Sequence, residues 1–177
     1  MPSRRPLQTG FSLVEALIPL TIAGVLLGGA LPSLDSFKQR RQLEGSAAQL
    51  ETDLQLARSA AVAANSVLRM DFVNADGRSC YVLHDGPARS CSCGRDGIPV
   101  CADGTTALRS AHFVTGHAVQ LRSNVASIGF DPIKGTVTPT ASIRLDAPVG
   151  QLRLVVNVMG RIRSCAGTGD WPGQRRC

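Results

Sequence analysis

The chain lacks the short motifs that usually mark a catalytic or redox site. Its 177 residues include six cysteines but no C-x-x-C spacing, which argues against a thioredoxin-like redox centre and against most structural zinc sites. The sequence also has no nucleophile and base arrangement, no paired acidic motif and no phosphate-binding glycine loop. We therefore expect a protein that is not an enzyme and has neither cofactor nor bound metal.

Charge is absent from the apolar run at residues 16–34. As a helix at roughly 1.5 Å per residue this run would extend about 28 Å, close to the hydrocarbon thickness of a bilayer. The segment before it carries Arg4 and Arg5, and the positive-inside rule places such a segment in the cytoplasm. We therefore expect residues 11–34 to form a transmembrane or filament-core helix, with the rest of the chain exported.

The residues that open this run form a recognisable motif. The sequence Gly10-Phe11-Ser12-Leu13-Val14-Glu15 resembles the type IV prepilin signal. The resemblance implies that residues 1–10 are a leader, cleaved by the prepilin peptidase between Gly10 and Phe11, and that Phe11 is then N-methylated. It also implies that Glu15 contacts the amino terminus of a neighbouring subunit during assembly; a carboxylate at the edge of a membrane helix is costly and usually has a partner. An ordinary signal anchor with an incidental glutamate is the alternative.

The pattern of apolar residues changes after the charge-free run. Residues 35–64 are expected to continue the helix as an amphipathic half, because apolar residues recur there every three or four positions. The residues of this face are Leu43, Ala47, Leu50, Leu54, Ala57, Ala61 and Ala64. The residues expected to point elsewhere are Gln49, Glu51, Asp53, Gln55 and Arg58.

Residues 65–177 form a β-rich part in which short apolar segments alternate with turn residues. The predicted strands lie at residues 67–73, 80–84, 118–122, 127–130, 136–138, 142–145 and 151–158. Residues 74–77 predict a hairpin turn between the first two strands. No strand is predicted for residues 85–115, a long region whose order should depend on cross-links. The expected fold class is α+β and pilin-like, with a long N-terminal helix packed on antiparallel sheet.

The cysteines are expected to form disulfides in an oxidising periplasm. We favour a bridge between Cys165 and Cys177. The other four cysteines stay unassigned between the possible pairings, namely Cys80, Cys91, Cys93 and Cys101. Cys91 and Cys93 are separated by one residue and are poorly placed to bridge each other. A metal site in this group is the alternative, but the histidines show no ligand spacing near the cysteines.

Positive charge is concentrated at the C-terminal end. From residue 150 onward Asp170 is the acidic residue, and the basic residues are Arg153, Arg161, Arg163, Arg175 and Arg176. Arginines two positions apart on an extended segment point to one face, and a bridge from Cys165 to Cys177 would bring Arg175 and Arg176 beside them. Guanidinium clusters of this kind suit phosphate groups. Trp171 would either stack on a base or cap the core.

The prepilin signal, the long helix, the β-rich domain and the segment Gly160-Arg161-Ile162-Arg163 together resemble the FimT/GspH-type minor pilins and minor pseudopilins. We favour the FimT branch, for which the resemblance implies a minor pilin of a type IV pilus. Such a subunit binds double-stranded DNA non-specifically through its Gly-Arg-x-Arg tail and supports natural transformation. By this resemblance the predicted DNA-binding residues are Gly160, Arg161 and Arg163. Arg175 and Arg176 are added to the predicted DNA-binding residues on electrostatic grounds.

The same resemblance implies the partners and the location of the chain. The expected partners are other pilin or pseudopilin subunits, the prepilin peptidase, the inner membrane and DNA. The chain would cross the bacterial inner membrane once, with residues 65–177 in the periplasm, and enter a pilus or pseudopilus on assembly. A structural minor pseudopilin at the tip of a type II secretion system is the alternative function, and an enzyme on a membrane anchor is a third.

The first prediction concerns processing. Gly10→Ala should leave the leader attached, because the peptidase reads the glycine before the cleavage site, whereas Glu15→Ala should be processed normally and assemble poorly. Mass spectrometry of the purified protein measures the N-terminus of each variant. A mature wild-type chain that begins at any residue other than Phe11 would contradict the pilin signal.

Overall fold

The computed structural model describes residues 12–75, 77–113, 119–169 and 171–177, with the side chains of residues 26–33 outside the description. Within these ranges one helix, α1 (Leu13–Ala64), precedes the strands. The strands are β1 (Leu68–Ala75), β2 (Arg78–His84), β3 (Cys91–Cys93), β4 (Pro99–Cys101), β5 (Ala107–Phe113), β6 (Gln120–Ser123), β7 (Ser127–Phe130), β8 (Val137–Thr138), β9 (Ala141–Ala147), β10 (Gly150–Val156) and β11 (Ile162–Thr168).

The strands form two larger sheets and one small one. Five strands pair in the order β5-β2-β1-β7-β8, and four pair in the order β11-β10-β9-β6. A separate ribbon consists of β3 and β4. Every strand pair is antiparallel. A long N-terminal helix with antiparallel sheets is the α+β architecture that the sequence predicts.

Most predicted strands agree with the structure to within a few residues. The strand predicted at 127–130 coincides with β7, and the predicted hairpin joins β1 to β2 with Ala75 opposite Arg78. Residues 76 and 118, which belong to these predictions, lie outside the described residues. The structure contains β3, β4 and β5 in the region left without a strand prediction, and it also contains β11. β5 has no clear alternation of apolar and polar residues because it is an edge strand, ordered by its pairing with β2.

One face of α1 forms the centre of the hydrophobic core. The predicted face is buried at Leu43, Ala47, Leu50, Leu54, Ala57 and Ala61. These residues belong to one apolar cluster with residues of both larger sheets. The prediction is wrong for Ala64, which is exposed. Ala64 is the last residue of α1, and the next residue, Asn65, has a φ of 48° that ends the helix.

The prediction is also wrong for Asp53, which is buried beside the apolar face. The Tyr81 hydroxyl, which has no exposed surface, donates a hydrogen bond of 2.6 Å to Asp53 Oδ2. Burial, and then the hydrogen bond to Asp53, raises the pKa of Tyr81 far above its usual range. This bond fixes α1 against β2, because both residues are buried and buried polar groups need a hydrogen-bond partner.

The chain forms two compact units, Met1–Lys38 and Gln39–Cys177, and the boundary falls within α1. In the first unit the Ser12 N–H donates to Glu15 Oε2 at 3.1 Å, so the carboxylate satisfies a backbone donor at the start of the helix. Gly10 and Phe11, the predicted processing residues, lie outside the described residues. Where the chain is described, no helix combines the length and the apolar composition needed to cross a membrane. The predicted anchor includes residues 26–33, whose side chains are outside the description.

Disulfides involve all the cysteines, and none is free. The pairs are Cys80–Cys93, Cys91–Cys101 and Cys165–Cys177. The last is the pair that the sequence analysis favours, and the first two link β2, β3 and β4. Asp71 of β1 holds the same region, because its buried carboxylate accepts the Arg89 N–H at 3.1 Å and the Cys91 N–H at 3.3 Å. The region at 85–115 is thus ordered by cross-links and by a buried acceptor.

One histidine lies beside the cysteines, contrary to the sequence analysis. His112 is opposite Cys80 in the pairing of β2 with β5, and the ligand atoms of Cys80, Cys93 and His112 all lie within 4.8 Å of one another. Burial, followed by the charge of Arg78, lowers the pKa of His112. Metal binding requires thiolates, and both sulfurs are held in a disulfide.

The second prediction concerns the pH dependence of stability. Tyr81 is the only tyrosine, so the ultraviolet absorbance of its phenolate reports one group. The unfolded chain loses the hydroxyl proton near pH ~10, whereas the folded chain keeps it because its pKa is raised. The free energy of unfolding contributed by Tyr81 is therefore complete below that pH and decreases as the pH rises above it. Phenolate absorbance should appear only together with the loss of secondary structure measured by circular dichroism.

The control is Tyr81→Phe, which has no tyrosine and should give no phenolate absorbance. It leaves the Asp53 carboxylate buried without its donor, so we expect a loss of about 1–3 kcal/mol in the free energy of unfolding. Ionisation of Tyr81 near pH ~10 in a chain that stays folded would contradict the assigned hydrogen bond.

Candidate nucleic-acid interface

The Gly-Arg-x-Arg segment begins in the loop between β10 and β11. Asn157 organises this loop, because its side-chain oxygen accepts the Arg161 N–H at 2.8 Å and its carbonyl accepts the Gly160 N–H at 2.9 Å. The Asn157 N–H in turn donates to the Arg161 carbonyl at 3.1 Å. Asparagine often closes a turn in this way. The first arginine of the motif therefore has a fixed backbone.

Gly160 is buried and has a structural role. Its φ of 72° lies in the left-handed region that glycine tolerates best. A Cβ at this position would lie 2.8 Å from Arg58 Nε and 2.9 Å from the Gly135 carbonyl oxygen. The same Arg58 Nε donates to that carbonyl at 2.8 Å. The glycine of the motif thus lets the loop pack closely on α1 and on the turn before β8.

A groove of about 840 Å³ lies beside this contact. Three of its lining residues are basic, namely Arg58, Lys134 and Arg161, and none of the described lining residues is acidic. The neighbouring Asp131 uses its Oδ1 atom to accept the backbone N–H groups of Ile133 and Lys134, at 2.9 and 2.7 Å. Asp131 is not part of the described lining, so the lining carries net positive charge and attracts anions.

The second arginine of the motif, Arg163, lies on β11, the edge strand of the four-stranded sheet. Ala166, on the other side of the strand, is buried, and Arg163 is exposed. Val155 is the residue opposite Arg163 on β10. An exposed guanidinium on an edge strand is open to a large ligand.

The C-terminal segment contacts β11 through one isolated parallel bridge. Arg176 forms a bridge with Ala166, the Ala166 N–H donates to the Arg175 carbonyl at 2.7 Å, and the Cys177 N–H donates to the Ala166 carbonyl at 3.0 Å. The Cys165–Cys177 disulfide closes this arrangement. Alternation along the segment places Arg175 on the same face as Arg163, and Arg176 on the opposite one. Both arginines are exposed.

Trp171 caps the core and is not available to stack on a base. The residue is 5% exposed, and its Nε1–H donates to the Thr168 carbonyl at 2.8 Å. The Arg40 guanidinium lies over the ring, 4.8 Å from its centre. Of the two interpretations of Trp171 in the sequence, the structural one is confirmed.

Arg58 and Lys134 were not among the predicted site residues. Arg58 occurs on a helix and Lys134 in a turn, far from the motif along the chain, and each looks like an ordinary solvated charge in the sequence. The contact between Arg58 and Gly135 joins α1 to this turn, and both residues line one groove with Arg161 of the motif.

The chain is similar to one protein family and to solved pilin structures. The sequence profile of the family described as type II transport protein GspH matches residues 46–160. The crystal structure of the type IV minor pilin FimU from Pseudomonas aeruginosa PAO1 has a TM-score of 0.50 at 20% identity, covering 72% of this chain and 90% of the other. The minor pseudopilin EpsH of the Vibrio cholerae type 2 secretion system has a TM-score of 0.44 at 15% identity, covering 74% and 98%. No curated protein matches the chain. The likeness to FimU concerns the fold.

The third prediction concerns Gly160. Gly160→Ala should destabilise the domain by about 1–3 kcal/mol, because it adds left-handed strain to a close contact with Arg58 and Gly135. The matched control is Gly104→Ala, which has a similar φ of 78° but nothing within 4 Å of the added Cβ. Thermal melting of both variants measures the difference. Equal losses would show that the close contact contributes nothing.

Proposed function

We propose that this chain, which belongs to the type II transport protein GspH family of minor pilins and pseudopilins, is a minor pilin that binds double-stranded DNA without sequence preference. The proposal includes the assignment to the FimT branch, a place in a type IV pilus and a role in DNA uptake during natural transformation. The residues proposed to contact DNA are Arg161, Arg163, Arg175 and Arg176, together with Arg58 and Lys134 of the groove.

The observation that carries the proposal is the basic groove at the start of the motif. Arg161 lies there with Arg58 and Lys134, and the described lining has no acidic residue. Arginine presents a planar fork of donors that matches phosphate oxygens, and its charge does not depend on pH in the physiological range. These features support binding of a polyanion at this surface.

The proposed contacts are to phosphate and not to base edges. Sequence is read by helices or ribbons that enter a groove of the duplex, whereas these arginines lie on a short loop, an edge strand and a disulfide-closed segment. Contacts to phosphate position a protein on DNA but carry no sequence information. Binding of this type suits a protein that must take up DNA of any sequence.

The location in the cell is part of the same proposal. We infer removal of residues 1–10 by the prepilin peptidase, one crossing of the inner membrane by residues 11–34, and a periplasmic domain at residues 65–177. Glu15 would bind the amino terminus of a neighbouring subunit on assembly. Its bond to the Ser12 N–H is exposed, so exchange for an intermolecular partner costs little.

The second candidate function is a structural minor pseudopilin at the tip of a type II secretion system. The family description favours it, and so do exposed apolar residues near the groove. Val158 and Met159, in the loop between β10 and β11, are 51% and 64% exposed, and Ile133 in the groove lining is 80% exposed. Exposed apolar residues next to a rim of charge are typical of a contact between subunits.

The fourth prediction tests DNA binding by the full-length protein in a non-ionic detergent. Fluorescence anisotropy with two labelled duplexes of unrelated sequence should give equal affinities. The logarithm of the affinity should fall with the logarithm of the salt concentration at about −0.9 per phosphate contacted. Arg161→Ala/Arg163→Ala should make that slope shallower by about two units. Its melting temperature should stay near that of the wild type, since exposed arginines contribute little to stability.

The matched control is Arg95→Ala/Arg109→Ala, which removes the same charge from exposed positions next to β3 and on β5. This control should bind like the wild type. If Arg161→Ala/Arg163→Ala binds as tightly as the wild type at every salt concentration, DNA binding by the motif is excluded. If the wild-type protein binds neither duplex, the structural pseudopilin becomes the better function.

A further inference from the structure

The outer face of the four-stranded sheet carries a row of arginines that the sequence pattern does not reveal. Its strands bury alternate residues, including Leu121, Ile143, Leu145, Leu152 and Leu154. The intervening residues therefore lie on the opposite face of the sheet, away from the core. Among those intervening residues are Arg122, Arg144, Arg153 and Arg163.

Strand register aligns three of these arginines across neighbouring strands. Arg153 of β10 is directly opposite Arg144 of β9, and Arg144 is directly opposite Arg122 of β6. At about 4.8 Å between strands, the three Cα atoms extend over roughly 10 Å. On the other side of Arg153 lies Cys165, which carries the disulfide to Cys177. Arg163 is two residues from Cys165 on the same strand, so the row continues into the motif.

Little negative charge balances this row. Like charges directly opposite each other on adjacent strands destabilise a sheet. Among the described residues of this face the acidic one is Asp146: its Oδ2 lies 3.8 Å from Arg122 Nε, and its Oδ1 accepts a hydrogen bond from Gln151. Within the described part of the chain, Arg144 and Arg153 form no ion pair, and Arg153 Nε is buried without a hydrogen-bond partner. The exposed arginine of this pair, Arg144, is therefore a cation without an acidic partner among the described residues.

We propose that this arginine row, defined by Arg122, Arg144 and Arg153, is a second phosphate-binding surface that continues the Gly-Arg-x-Arg site across the sheet. The proposal rests on the proposed DNA binding and adds the path of the duplex, which crosses the strands from β11 toward β6. A duplex carries one phosphate charge per ~1.7 Å of its axis, so phosphates are available along the whole row.

The composition of the face favours DNA over a protein partner. Its other described outward residues include Gln120, Ser142 and Gln151, and its apolar groups are Val155, at 39% exposed, and the Cys165–Cys177 disulfide. A stable contact between subunits has an apolar centre depleted in charge, and this face has the reverse arrangement. A straight line of guanidinium groups on a stiff sheet matches the regular charge of a duplex backbone.

The fifth prediction uses Arg122→Gln/Arg144→Gln in the full-length protein, measured with the same duplexes and salt series. The affinity should fall about 10- to 100-fold at low salt, and the slope should become shallower by about two units, roughly 0.9 for each phosphate that is no longer neutralised. The melting temperature should not fall, because the substitution relieves repulsion between opposite strands. Arg122→Lys/Arg144→Lys keeps the charge and should retain most of the slope. Arg95→Gln/Arg109→Gln is the matched control for removal of charge alone.

The results separate this proposal from the one on which it rests. If Arg161→Ala/Arg163→Ala weakens binding while Arg122→Gln/Arg144→Gln binds like the wild type, the row is overturned and the motif stands. The reverse pattern upholds the row and removes the motif. If the wild-type protein binds neither duplex, both proposals are overturned. If the glutamine variant melts at a lower temperature, the lysine variant decides: loss of DNA binding with retained charge would overturn a role in phosphate binding.

Discussion

The contact on which the domain depends is the packing of one helical face against two separate sheets. Each larger sheet has one apolar face, and a sheet with an uncovered apolar face is not stable in water. Leu50 and Leu54 have no exposed surface in this layer, and the bond from Tyr81 to Asp53 fixes the helix against β2. Because one helix covers both sheets, Arg58 on its solvent side reaches the turn at Gly135. The basic groove follows from that packing.

The rigidity of the basic surface distinguishes it from a flexible charged tail. Asn157 holds the loop between β10 and β11, and the close approach at Gly160 holds that loop on α1. The Cys165–Cys177 disulfide and backbone bonds to Ala166 hold the C-terminal segment. Ordering side chains and loops on binding costs free energy. That cost is smaller for groups whose backbone is already held rigidly. The row of like charges is unfavourable for folding. Interactions that oppose folding, such as this repulsion between like charges, are commonly found at functional surfaces.

Much of the fold follows from local pattern. The three-and-four spacing from Leu43 to Ala61 predicted the buried face of α1, and apolar segments between turns predicted most strands. The α+β pilin-like architecture is confirmed by the structure and by its similarity to FimU. Edge strand β5 was not predicted, because a strand paired on one side and largely exposed on the other has no alternating signal. Asp53 was expected to point away from the apolar face, because its partner Tyr81 comes from a strand 28 residues away and leaves no local signal.

The sequence by itself determined the long helix, most of the strands and the motif: a prepilin-like start, one long helix, seven of the short strands, and a Gly-Arg-x-Arg segment before Cys165. Only the tertiary structure decided which charges are neighbours. It placed Arg58 beside Arg161, and it aligned Arg144 between two other arginines on adjacent strands. The physical reason is that periodicity along a chain records which face a residue occupies. The neighbours on that face depend on strand order and register, which are set by packing between residues far apart in sequence.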